Sequence, residues 1–335
     1  MTSRDALSIL DFSLSANAQP DSLMAILRAY ADESGKASDV RCRCISFAAA
    51  MGTTEQWKHF NRSWARMLKR KDIPYLHMKE VIGGRKTGSG PFAKFASDSE
   101  LTKLMLDASG CIIGARLVCR GTSMLLDDLQ RVLNRHRLNA DPYSFTLYQS
   151  VVQLGTAAMN THPTNPAFHL ILDRLEQPTK RLAEAEELYE SDNFASWRGW
   201  PAVTALRPKD REGSRELSEL QAADFVAWIL RRNLVYIEEW MRTIKPQIGP
   251  MKHEQWGESL RLWIKERAER EGLRHLEAPL SMHIWHLLRS ARLLTHYPYD
   301  EERLENHVIA GRASEVDANL KAETIARAGA FPLTP

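Results

Sequence analysis

Cysteine is scarce and never in a paired pattern. Cys42, Cys44, Cys111 and Cys119 are the four in 335 residues, with no CxxC among them. That excludes a disulfide scaffold and points to a reducing, cytoplasmic setting. Long hydrophobic runs are also missing, because no stretch approaches the ~20 apolar residues that a membrane helix needs. Charge of one sign is lacking too: 45 Lys+Arg stand against 42 Asp+Glu, for a formal net charge of +3. The balance excludes an acidic disordered chain and a histone-like basic one, while leaving room for local basic patches. There is no internal repeat, low-complexity tract or long Pro/Ser linker. GxSxG, GxGxxG and GxxxxGK[ST] are absent as well, which removes the usual hydrolase elbow, dinucleotide and P-loop chemistries.

What is there is a chain that is 44% apolar, enough for one large core or a core with an appended subdomain. Residues 4–18 loosely mimic a signal peptide, but Asp5 and Asp11 interrupt the apolar stretch. An amphipathic arm over 1–21, with Leu7, Leu10 and Leu14 at helical spacing, is the better reading.

From residue 22 short apolar runs alternate with longer amphipathic segments, the pattern of an α/β fold. Strands are expected at Met24–Ala31, Val40–Met51, Cys111–Arg120, Ala167–Leu172 and Ala202–Leu206. Helices are expected from Thr54 to Lys71, at Ser97–Ala108, at about 124–136 and 143–161, at 179–190 and at Glu216–Val235. Between them, Gly83 to Gly90 reads as a glycine-rich loop carrying Arg85 and Lys86. The division is an arm (1–21), an α/β domain (22–235) and a helical C-terminal extension (236–335). Trp240, Trp256, Trp263 and Trp285 are spaced to pack the extension against the core.

Acidic residues break otherwise apolar elements. Asp32 and Glu33 end the first strand, Asp173 ends His169–Leu172, and Asp224 lies beside the apolar face marked by Leu220, Ala223, Ala227 and Leu230. Gln221, three residues before Asp224, shares its side of the helix. A buried carboxylate left alone costs several kcal/mol, so such residues need a partner, a cleft or a cation. Converging carboxylates form a hard-oxygen site suited to Mg²⁺ or Mn²⁺. Two ions ~3.5–4 Å apart can activate water and stabilise a leaving oxygen in phosphodiester hydrolysis. Taken singly, each acid serves equally as a strand end, a cap or an ion-pair partner.

Tyr30-Ala31-Asp32-Glu33-Ser34-Gly35 together with Leu220-Gln221-Ala222-Ala223-Asp224-Phe225-Val226-Ala227-Trp228 resembles the bacterial family called domain of unknown function 3800. That family has an early Asp-Glu-Ser-Gly motif and a late Gln-x-x-Asp motif, and the resemblance spans residues 24–235. It implies a ribonuclease H-like mixed central sheet flanked by helices, and a nuclease that holds metal with acidic residues. Carried over, Asp32, Asp173 and Asp224 are the expected metal ligands and Glu33 a ligand or water-orienting base. Gln221 is an expected second-layer or substrate contact. His77-Met78-Lys79-Glu80 is a looser match to an acidic-plus-basic segment, making Glu80 and Lys79 further candidates. The competing functions are a non-catalytic nucleic-acid or protein binding module, in phage defence or mobile-element biology, and a metal-dependent phosphatase or phosphotransferase.

Lys58, Arg62 and Arg66 recur at i,i+4 on the helix from Thr54, opposite Trp57, Phe60, Trp64 and Met67. They are candidates, with Arg85 and Lys86, for holding a phosphate backbone. The same ridge is equally a solvated helix face. Cys42 and Cys44 read as core thiols, and His283 and His286, without the Glu of H-E-x-x-H, as packing beside Trp285.

Overall fold

The computed structural model describes residues 27–35, 43–136, 141–161, 168–173, 178–190, 201–205, 217–243, 277–299 and 305. The expected arm at 1–21, Cys42, Trp256 and Trp263 lie outside the described residues.

A mixed sheet forms the middle layer. β1 (Leu27–Ser34) pairs antiparallel with β2 (Cys44–Gly52), Ala31 opposite Ala49 and Asp32 opposite Ala48. β2 pairs antiparallel with β3 (Val118–Leu125), while β4 (Phe168–Leu172) runs parallel to β1 and β5 (Ala202–Ala205) parallel to β4. β6 (Leu294–Tyr299) adds to β3 in parallel, so the order is β5-β4-β1-β2-β3-β6. Every residue of β2 is buried, because both faces of the strand are covered by helices.

Side chains alternate across the strands, which divides the core in two. Tyr30, Ala48, Ala50 and Ile171 face α1 (Thr54–Lys71), α3 (Asp98–Ala115), α7 (Ser218–Thr243) and α8 (Glu277–Ser290). Ala29, Ala31, Phe47, Ala49 and Leu172 face α5 (Pro142–Thr161) and α6 (Pro178–Glu190). The remaining helices are α2 (Met78–Thr87) and α4 (Leu126–His136).

Local chemistry explains the clearest boundaries. Thr53 and Gln56 form a reciprocal capping box that starts α1, and Asp72 ends it in the left-handed region at φ 51°. Trp57, Phe60, Trp64 and Met67 are its buried stripe, and the Trp57 Nε1–H donates to the carbonyl of Arg28 at 3.0 Å. α7 crosses β1, β2 and β3. It comes so close at Gly121 that a Cβ there would lie 2.3 Å from Leu230 Cδ1 and 2.9 Å from the Phe47 oxygen.

Three expectations need correction. The strand expected at Cys111–Arg120 begins only at Val118, because the stripe Leu101, Leu104, Met105, Ala108, Ile112 and Ala115 carries α3 through to Ala115. The glycine loop expected at 83–90 is mostly helix: α2 runs to Thr87, with Gly88 as its left-handed cap at φ 65°. The C-terminal extension is not purely helical, since β6 joins the main sheet, and α7 runs across the expected boundary at residue 235.

Candidate functional site

β1 and β4 lie side by side and parallel, with Ala31 level with Leu172. The ladder continues one step further, the Asp173 amide donating to the Ala31 carbonyl at 3.0 Å. Asp32 and Asp173 therefore follow Tyr30 and Ile171 onto the same face, at the carboxyl ends of two adjacent central strands. In open α/β sheets this is where ligands bind. α7 crosses that face and contributes Asp224, which is buried.

Electrostatics ties the three acids together. Removal from water pushes the Asp32 carboxyl well above its ordinary pKa, and the negative charges of Asp224 and Asp173 push it further. The Glu33 N–H, 2.7 Å from Asp32 Oδ1, works the other way. Asp224 is raised by burial, with the His77 ring and the Met78 N–H opposing and Asp173 and Glu80 reinforcing. That amide donates to Asp224 Oδ2 at 2.7 Å. Asp173 Oδ1 is buried and accepts no hydrogen bond from the described residues.

The segment between α1 and α2 closes one side. His77 is the N-cap residue of α2, in extended conformation, and its Nδ1 lies 3.3 Å from Glu80 Oε1. The Tyr75 hydroxyl donates to Glu80 Oε2 at 2.5 Å. The negative charge of Glu80 acts on Asp224, and Lys79 next to it is exposed. Sequence reasoning gave His77 no role. Its only signal was its place directly before Met78, whose amide binds Asp224.

Glu33 goes elsewhere. It is the next residue after Asp32 on a strand, so it points through the opposite face, where its Oε2 lies 3.8 Å from Arg181 Nη1 on α6. Arg181 also lies 3.4 Å from Asp141 and stacks 4.1 Å from the Tyr143 ring centre. Gln221 is buried, and its Oε1 accepts from Trp64 Nε1–H at 2.8 Å and from the Leu76 N–H at 2.9 Å.

Of the basic candidates, Lys58, Arg62 and Arg66 are exposed on the side of α1 turned away from its buried stripe, and Lys58 pairs with Glu55 at 2.7 Å. Arg85 is on α2, not on a loop, and its guanidinium is engaged with Asp98 and the Ala96 carbonyl. Lys86 is exposed. His283 is exposed and Cys44 buried.

A divalent cation suits this donor set in charge and hardness: three carboxylates that repel one another, one with a buried oxygen lacking a hydrogen bond. Among the described residues, however, no group of three His, Cys, Asp or Glu is already arranged to hold a metal ion. No helix among the described residues is long and apolar enough to cross a membrane.

The class that fold and site define is a three-layer α/β protein with acidic residues gathered at the ends of two adjacent parallel strands. No family model matches the chain and no curated protein matches it, so the family resemblance rests on its two motifs. Among solved structures the chain is similar to Bst-RNase HIII in complex with Mn²⁺, with 14% identity and a TM-score of 0.35, over 80% of this chain and 75% of that one.

Proposed function

We propose that the protein is a divalent-metal-dependent nuclease of ribonuclease H-like type that hydrolyses nucleic-acid phosphodiesters. One observation carries this reading: Asp32 and Asp173 stand at the ends of two adjacent parallel strands on one face of the sheet, and the helix that crosses this face adds the buried Asp224. Carboxylates gathered away from water are costly, and a bound cation is one group that offsets their charge. The mixed central sheet with helices on both faces supports the same reading.

Asp32, Asp173 and Asp224 would hold Mg²⁺ or Mn²⁺, which supplies an acidified water and charge neutralisation at the leaving oxygen when bound. The protein's own groups orient and position. The Met78 amide fixes one oxygen of Asp224, and Tyr75 fixes Glu80 at the margin. Lys58, Arg62, Arg66, Lys79 and Lys86 are exposed cations available to a phosphate backbone.

A second reading, a non-catalytic nucleic-acid or protein binding module, is favoured by the lack of a preformed three-ligand group among the described residues. Labelled DNA, RNA and hybrid oligonucleotides incubated with Mn²⁺, Mg²⁺ or chelator distinguish the two. Metal-dependent cleavage that disappears in Asp32→Asn and Asp224→Asn supports the nuclease. Chelator-sensitive activity retained in Asp224→Asn contradicts it, and tight binding without cleavage supports the module.

A further inference from the structure

Gln221 and Asp224 lie three residues apart on one side of α7, and both side chains accept backbone amides from the same short segment. Gln221 Oε1 takes the Leu76 N–H at 2.9 Å and Asp224 Oδ2 takes the Met78 N–H at 2.7 Å. The match follows from two periodicities. In extended chain the amides of residues i and i+2 point the same way, and in a helix residues i and i+3 share a side. His77, between the two amides, is extended at φ −130° and ψ 115°. Trp64 Nε1–H, also a pure donor, binds the same Gln221 oxygen at 2.8 Å. Two donors on one atom fix it as the oxygen of the amide. The group is buried on every side: Trp64 is fully enclosed, Leu76 is 1% exposed and Gln221 3%.

We propose that Gln221 is a positioning residue rather than a substrate contact. It latches residues 76–78 to α7 and, through them, sets His77 and Glu80 near Asp224 and keeps the Met78 amide on its Oδ2. The latch joins α1 through Trp64 and the segment that follows it through Leu76 to α7, which brings Gln221 from 145 or more residues further along the chain. Its effect on metal rests on the nuclease reading above; its effect on the segment does not.

The test uses the full chain with Gln221→Met, which keeps length but cannot accept these bonds, and Gln221→Glu, which keeps the acceptor. Gln221→Asn, which draws the oxygen back by about one C–C bond of ~1.5 Å, replaces the Met variant should that one not fold. Two quantities are read: amide hydrogen exchange at Leu76 and Met78, and Mn²⁺ affinity from the free-ion electron paramagnetic resonance signal. The expected result is faster exchange at both amides in Gln221→Met, with Mn²⁺ affinity lowered by about tenfold or more, the usual effect of removing a group that orients ligands. Gln221→Glu keeps exchange at both amides near wild type.

Unchanged exchange in Gln221→Met overturns the latch, as does equally accelerated exchange in the Glu and Met variants. If the wild type binds no Mn²⁺ the nuclease reading fails, and exchange alone decides: accelerated in Met and held in Glu sustains the latch, and any other pattern ends it.

Discussion

The Asp173 amide donates to the Ala31 carbonyl at 3.0 Å, and that single ladder bond sets Asp173 level with Asp32 on the neighbouring strand. Without it the acid would be one more strand terminator. With it, two carboxylates share a face at the carboxyl end of the sheet, below a helix that brings a third.

Relief of that repulsion should be visible as stability. Asp32 and Asp224 both have raised pKa values, so between the ordinary carboxylate pKa of about 4 and the raised native values the folded state binds more protons than the unfolded one. Stability of the metal-free protein therefore falls as pH rises through that window. Asp32→Asn or Asp224→Asn is expected to flatten the slope and to hold or raise stability at neutral pH. Denaturant midpoints between pH 4.5 and 8 measure this. A comparable loss of stability in both variants would show that the acids are structural partners.

Glu33 behaves differently because it faces Arg181. Glu33→Gln should leave Mn²⁺ affinity within about threefold, far less than loss of a true ligand, whereas Asp32→Asn abolishes it. Arg181→Met should destabilise the fold by about 3 kcal/mol, since it leaves Glu33 and Asp141 without their shared cation. Thermal melts beside metal titrations of the two variants separate the roles.

The basic candidates divide in the same way. Charge reversal at Lys58, Arg62 and Arg66 together should weaken nucleic-acid binding and reduce its salt dependence by up to about three counterions. Arg85→Ala should instead lower stability, because its guanidinium is committed to Asp98 and the Ala96 carbonyl. Fluorescence anisotropy across a salt series reads the first effect and a melt the second.

Packing gives an independent check on how α7 sits. Gly121→Ala places a Cβ against Leu230 and the Phe47 carbonyl and should cost about 1–3 kcal/mol, as overpacking does. Leu230→Ala in the same chain should cost less than the sum of the two single changes, because the added methyl then has space. Strict additivity would mean that α7 does not approach Gly121 as described.

Elements whose ends carry their own chemistry were legible in the sequence. α1 lies at Thr54–Lys71 as expected because the Thr53 capping box, the four-residue aromatic and apolar stripe and Asp72 all agree. Where tertiary packing decides, the local pattern misleads. Cys111-Ile112-Ile113 looks like a strand, yet it extends the buried stripe of α3. Gly83 and Gly84 look like a loop, but sit inside a helix with Phe92 packed close to Gly84. β6 was read as part of a helical extension, and it is pairing with β3 that makes it a strand. For the site, the two motifs led to Asp32, Asp224 and Gln221. Strand alternation, which turns Glu33 to the far face, was available in the sequence but not used there. The place of His77 depends on hydrogen bonds between segments 145 residues or more apart, which no local pattern encodes.

A calorimetric titration of the protein with Mn²⁺, beside the Asp32→Asn/Asp224→Asn double variant, bears on the three acids without any assumption about substrate. The expected result is saturable binding by the wild type that the double variant lacks, with both proteins equally folded. Equal binding by both, or none by the wild type, would contradict a metal centre formed by Asp32, Asp173 and Asp224.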